Sequence, residues 1–246
     1  MDRLIYTALS GMQASMAQTQ MLANNMANAD TPGFREELLQ RSPVTLRGEQ
    51  VEVRALQTGF VTGARMETGE LVQTGQKLDI AIIGTALMAV QAPDGDEAYT
   101  RRGDLSVSPS GLLVNGEGHP VLGQSGPITV PLGQELSLAP DGTINARDPQ
   151  QPASPEQAIG RIRLAGWQGI PIAKGLDNLF RAEGGGILPA DEEARIASGY
   201  LEQSNVRPTQ VLVEMIDAQR LYEMRSKLLV TARQMDESGA ELMRLG

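Results

Sequence analysis

The chain has 246 residues, with 41 % hydrophobic residues, 3 % aromatics, no cysteine and a formal net charge of −9. That length holds one or two domains, and the lack of cysteine excludes disulfides, thiol catalysis and Cys-ligated zinc. No basic face exists to neutralise phosphates, which excludes nucleic acid as a partner and disfavours an anionic membrane surface. The acid is uneven: residues 207–246 hold six basic against six acidic residues and residues 1–30 sum to −1, so the middle of the chain carries −8.

The first element predicted is a helix from Asp2 to Asn28. Leu4, Ala8, Met12, Met16, Thr19, Leu22 and Met26 recur at spacings of three or four, one face of an α-helix. Thr31-Pro32-Gly33 stops it, because proline cannot continue a helix and glycine suits the turn that leaves one. At ~1.5 Å per residue it would be roughly 40 Å long, so its apolar face needs a partner. Residues 35–75 read as short extended pieces punctuated by glycine, a linker of strands and turns.

Residues 76–200 read as an antiparallel β domain. Leu78–Ile83 and Leu87–Gln91 are strands, and Asp94-Gly95 is a hairpin signal. Further strands start at Tyr99, Leu112, Pro120, Ile128, Glu135 and Thr143, with glycine turns between them. Strands every 8–12 residues suggest a small barrel or sandwich. Residues 146–158 are a Pro-rich loop, Ile162–Trp167 alternates like another strand, and Ile196–Glu202 is a return strand. The longest apolar run, Ile80–Val90, is too short to span a bilayer, so no membrane insertion is expected. No basic start followed by an apolar core marks a cleaved signal peptide.

A second long helix is predicted from Pro208 to about Met243, roughly 50 Å at ~1.5 Å per residue. Pro208 fits its first turn. Leu221, Leu228, Met235 and Leu242 fall seven apart, the repeat of a coiled-coil-like seam. The reading is therefore α+β: two terminal helices (1–34 and 201–246) paired as one helical domain, a linker over 35–75 and a central β domain over 76–200. Most of the eleven methionines lie on the terminal helices, where an unbranched thioether suits an adaptable interface.

Candidate chemistry is sparse. His119, the only histidine, sits in a Gly-His-Pro turn and reads as a turn residue. Asp79 interrupts an apolar strand; a buried carboxylate there is either a general acid or base or a structural group bonded to backbone or to Arg101 or Arg102. Asp191-Glu192-Glu193 is a solvated run. Gly75-Gln76-Lys77 lacks the rest of a phosphate-binding loop. No metal or cofactor is expected.

These residues resemble a known family. Asn24-Asn25-Met26-Ala27-Asn28 with Thr31-Pro32-Gly33-Phe34, and Ser10-Gly11-Met12 upstream, look like the N-terminal signature of bacterial flagellar rod and hook proteins. Leu201-Glu202-Gln203-Ser204-Asn205-Val206, Glu214-Met215-Ile216 and Arg220-Leu221-Tyr222-Glu223 look like their C-terminal signature. Leu78–Ile82, Tyr99–Arg101 and Gly111–Val114 match between. The opening Met1–Tyr6, Gly118–Val121, Gly126–Pro131 and Asp177–Phe180 are more similar to the proximal rod member than to the distal one. Thr85-Ala86-Leu87-Met88 departs from the family where a second glycine and aromatics are usual.

The resemblance implies a structural subunit and not an enzyme. It would leave the cell through the flagellar type III export apparatus without a cleaved signal, and assemble in the periplasm with copies of itself and other proximal and distal rod proteins. It also implies an assembly interface: Leu4, Leu9, Met12, Met16, Leu22, Asn24, Asn25, Met26, Asn28, Pro32, Gly33 and Phe34 from one end, and Asn205, Leu212, Met215, Ile216, Leu221, Tyr222, Leu228, Leu229, Met235 and Leu242 from the other. Two readings compete with it: a secreted β-domain binding module oligomerised by its terminal helices, and a wall hydrolase acting through Asp79 and a second carboxylate.

Overall fold

The computed structural model describes the backbone of residues 2–47, 52–150 and 155–244, and side chains over 9–39, 63–150, 155–231, 233 and 234. The side chains of Leu4, Met235 and Leu242 lie outside the described residues. The fold is α+β, with one long helix near each end and a mostly antiparallel β region between them. The chain divides into two compact units: Met1–Ala27, Glu37–Gly63 and Val206–Gly246 form the first, Asn28–Glu36 and Ala64–Asn205 the second.

In the first unit, helix α1 (Asp2–Ala27) packs on helix α2 (Pro208–Arg244). Strands Glu37–Arg47 and Glu52–Ala64 form a two-stranded sheet, so much of the expected linker is regular structure. Among the described side chains of α1, from Leu9 on, the buried positions are Ser10, Ala14, Ser15, Met21, Leu22 and Asn25. Their spacing follows one helical face, but that face is built largely of small and polar residues. On α2, Val211 and Ala218 are buried and seven apart. Seven residues further, Arg225 reaches across and donates to Gly11 O and Ser15 Oγ. Glycine and serine leave room for a guanidinium at that contact.

In the second unit, a five-stranded antiparallel sheet runs in the order Leu164–Ala165, Leu87–Gln91, Glu97–Thr100, Phe180–Ala182 and Ile172–Lys174. Both faces of its second strand are covered. Met88 and Val90 join the main core with Ile80, Leu113, Val121 and Ile144, while Leu87 and Ala89 pack with Tyr99, Phe180 and Leu188. A strand buried on both faces reads as a continuous apolar run, not an alternation. The unusual stretch Ala86-Leu87-Met88 is thus fully buried. The Tyr99 hydroxyl accepts from the Leu188 amide at 2.7 Å and donates to Glu97 Oε1 at 2.7 Å. Burial, then the Glu97 bond, pushes its pKa up to about 12.

The remaining strands do not close into one barrel. They form a three-stranded sheet (Glu135–Leu138, Thr143–Arg147, Gln157–Arg161) and several two-stranded pairs. The expected strand at Ile128 is a buried crossing segment. Its backbone bonds Val121, Leu113 and Gly111, but Pro127 and Pro131 flank it and remove the donors a ladder needs. The Ile162–Trp167 segment contributes only Leu164–Ala165. At Asp94-Gly95, Gly95 takes φ +90° and donates to Ala92 O, the expected hairpin turn.

Candidate functional site

The N-terminal and C-terminal motifs meet in the second unit. Asn28 accepts from the Thr31 amide and hydroxyl, both at 3.2 Å, and Thr31 O accepts from the Phe34 amide. This local turn carries Gly33, Phe34 and Arg35 into the β region, where all three are buried. The Gly33 amide donates to Glu202 O at 2.7 Å. Lys174 Nζ lies 3.4 Å from the Phe34 ring centre and donates to Arg35 O at 3.0 Å.

Glu202 is the hub. It is 1 % exposed. Its Oε1 accepts from the Gly69 amide at 2.8 Å and lies 2.6 Å from Arg35 Nη2. Its Oε2 accepts from Arg101 Nε at 2.7 Å. Arg101 turns its remaining donors onto three carbonyls: Ile82 O at 2.5 Å, and Gly84 O and Ala86 O at 2.8 Å each. One carboxylate therefore serves two buried guanidiniums. Burial holds the Arg35 pKa below its ordinary value, and Glu202 opposes that shift.

Asn205 works beside this cluster through its backbone and both ends of its amide. Its Oδ1 accepts from the Glu36 amide at 2.7 Å, and its Nδ2 donates to Arg65 O at 2.7 Å and Glu67 O at 2.9 Å. Its own amide donates to Phe34 O at 3.3 Å.

In the first unit, Asn25 is fully buried and meets the backbone of Glu37 in both directions. Its Oδ1 accepts from the Glu37 amide at 2.8 Å, and its Nδ2 donates to Glu37 O at 3.1 Å. Asn24 Nδ2 donates to Glu37 Oε1 at 2.7 Å. Only a carboxamide offers a donor and an acceptor at that spacing. Asn25→Asp would face a carboxylate with a carbonyl, and is expected to destabilise this unit by about 1–3 kcal/mol. Hydrogen exchange at the Glu37 amide should accelerate; unchanged protection there would refute this role.

The structure spreads the other expected interface residues over two environments. Leu22 is buried, and Met12, Met26, Asn28, Pro32, Met215, Leu221, Tyr222 and Leu229 are half-buried. Leu9 (42 %), Met16 (56 %), Leu212 (45 %), Ile216 (50 %) and Leu228 (59 %) are exposed. A groove between α1 and α2, lined by Met16, Thr19, Gln20, Ala23, Gln219, Tyr222 and Glu223, holds about 600 Å³.

Sequence reasoning assigns no role to Arg35, Glu202 or Lys174, and offers Arg101 only as a partner of Asp79. The available signal was position: each arginine and the glutamate lies inside or beside one of the motifs. Asp79 is buried, but Arg101 and Arg102 do not bond it. Arg101 is committed as above, and Arg102 pairs with Asp104 and Glu117. His119 lies in its turn, its amide donating to Asn115 Oδ1. Among the described residues no cluster of three or more acidic, histidine or cysteine side chains could hold a metal, and no helix is long and apolar enough to cross a membrane.

Long helices from both chain ends pack together and the end motifs meet in a β region, and the family models that match this chain are those of the flagellar axial class. Family models support this in three places: "Flagella basal body rod protein" over residues 5–35, "Flagellar hook protein FlgE/F/G D1 domain" over 81–146, and "Flagellar basal body rod FlgEFG protein C-terminal" over 197–242. The chain is 39 % identical over 249 residues to the flagellar basal-body rod protein FlgF of Salmonella typhimurium, covering 99 % of each. It is 40 % identical over 235 residues to FlgF of Escherichia coli, covering 93 % of each. It is 30 % identical over 268 residues to the rod protein FlgG of Bacillus subtilis, covering 100 % of this chain and 99 % of the relative.

The chain belongs to the flagellar basal-body rod protein family. Its relatives are structural rod proteins of the basal body, and it is not an enzyme.

Proposed function

We propose that this chain polymerises helically through its terminal helices into the rod that carries torque across the periplasm. The observation that carries this is the apolar surface on α1 and α2. Leu9, Met16, Leu212, Val213, Ile216, Met224, Leu228 and Val230 are all exposed in the single chain. Exposed apolar stripes of that extent on paired helices call for cover by other chains. Head-to-tail contacts with a non-closing rotation build a filament.

The seven-residue series Leu221, Leu228, Met235 and Leu242 then forms coiled-coil-like seams with neighbouring subunits. The remaining expected residues of the terminal faces, Leu4 included, join the same interface. Neighbours are further copies of this chain and other rod proteins. Delivery is by the flagellar type III export apparatus, without a cleaved signal. Long helices that draw most of their stability from packing are compatible with passage through a narrow channel and with ordering on a template.

Leu228→Asp tests the reading. A charge there leaves the β-rich unit folded but cannot be buried in an apolar seam. The variant subunit should be exported yet missing from purified basal bodies, with swimming lost. Normal incorporation and motility would overturn the proposal.

A further inference from the structure

Helix α2 has more faces than its own chain covers. Its buried and half-buried positions Val211, Met215, Ala218, Tyr222, Arg225 and Leu229 step by four and three residues. They form one stripe, from which Arg225 bonds α1. At about 100° per residue, two exposed flanks remain on either side of it. Leu212, Ile216, Gln219 and Glu223 share one flank, and its Gln219 and Glu223 border the groove that Met16 and Ala23 line from α1. Val213, Asp217, Arg220, Met224, Lys227 and Leu228 share the other, and all six are exposed.

The flanks differ in charge. Glu223 is the only charged residue that lines the groove. The far flank carries two cations, Arg220 and Lys227, on either side of Met224, against one acid, Asp217. None of these four charges has an ion-pair partner among the described residues.

We propose that the groove of one copy takes the Val213–Met224–Leu228 flank of a second copy, with Glu223 of the first facing Arg220 and Lys227 of the second. This rests on the polymerisation reading above and names the pairing within it. Groove against groove would bring two Glu223 carboxylates together, and flank against flank would set a net positive surface on its own copy; like charges across an interface are repelled. Groove against flank matches apolar to apolar and acid to base. Met224 and Leu228 stand one turn apart, and a groove of about 600 Å³ has room for side chains of that size. Unbranched Met16 and Met224 suit an irregular fit. Because groove and flank are different surfaces of one unit, each copy that fills a groove offers its own to the next, and the contact does not close on itself.

The chain has no cysteine, so paired substitutions report on this contact alone. Ala23→Cys marks the groove and Met224→Cys the flank. In oxidised basal bodies, chains carrying both substitutions should crosslink into dimers and longer ladders. Cells that make the two singly substituted chains together should give dimers joined through positions 23 and 224, and either chain alone should give none. Dimers from one singly substituted chain alone would mean a symmetric contact and overturn the proposal. Incorporation without crosslinking, in this pair and in the more exposed pair Gln20→Cys with Lys227→Cys, would overturn the pairing and leave polymerisation standing. An incorporated Leu228→Asp chain would overturn polymerisation itself. The charges are tested in trans: a Glu223→Arg chain and an Arg220→Glu, Lys227→Glu chain should each enter basal bodies poorly alone and well together. Equal entry alone and together would overturn the charge match that selects this pairing.

Discussion

Glu202→Gln is expected to destabilise the β-rich unit by about 3–5 kcal/mol, the range for breaking a buried ion pair from one side. The side chain keeps its shape but loses its charge, and both Arg35 and Arg101 then remain buried without a counter-ion. The new amide also turns an N–H toward a donor. Glu202 Oε1 meets the Gly69 amide and Arg35, and Oε2 meets Arg101 Nε, so neither orientation of glutamine satisfies both sides. Against a total stability of about 5–15 kcal/mol for a typical domain, that loss is large.

The two arginines should not behave alike. Arg35→Met removes one buried charge and leaves Glu202 paired with Arg101. Arg101→Met also strips the donors from Ile82 O, Gly84 O and Ala86 O, and should be the more damaging. Urea unfolding of the full chain, followed by the fluorescence of Trp167, gives the readout. Trp167 is the only tryptophan and bonds Thr85 O within the same unit. A change below about 1 kcal/mol for Glu202→Gln would mean that water reaches and screens the cluster.

Gly33→Ala should have an effect of similar size through a different cause. Gly33 takes φ +70°, and an added Cβ would lie 2.4 Å from the backbone C and O of Arg101 and 2.6 Å from the Arg102 amide. Left-handed backbone with a side chain costs about 1–2 kcal/mol by itself. The contact adds more, because the neighbour is backbone and cannot swing away. The segment must lift, losing the Gly33–Glu202 bond and loosening Phe34 and Arg35. We expect about 3–5 kcal/mol in total, near the upper end for a single substitution. Gly95→Ala is the control: φ is +90° there with nothing near the added carbon, so only the backbone term remains. If the two substitutions cost the same, close approach of the Arg101 backbone is not what reserves position 33 for glycine.

How far these sites were legible differs residue by residue. The end of α1 was legible because its cause is local: Thr31, Pro32 and Gly33 stop a helix whatever surrounds it. The β reading of Leu87–Gln91 rested on a short apolar run that must be buried somewhere. The face α1 turns toward α2 was not legible. Ser10 and Ser15 carry no apolar signal, and Ser15 is bonded by Arg225 from 210 residues away. Asn25 stood out as part of a motif, yet nothing in the motif names Glu37 as its partner.

Local chemistry in the chain determined the helices, the glycine turns, the apolar strands and the family, since each depends on neighbours a few residues apart or on motif spelling. Partner choice for the buried charges was settled by the fold alone. Arg35, Arg101 and Glu202 each look like an ordinary solvated side chain in sequence. They become one unit because the β-rich unit brings residues 101 positions and more apart into a buried space, where a charge must find its counter-charge or be destabilising.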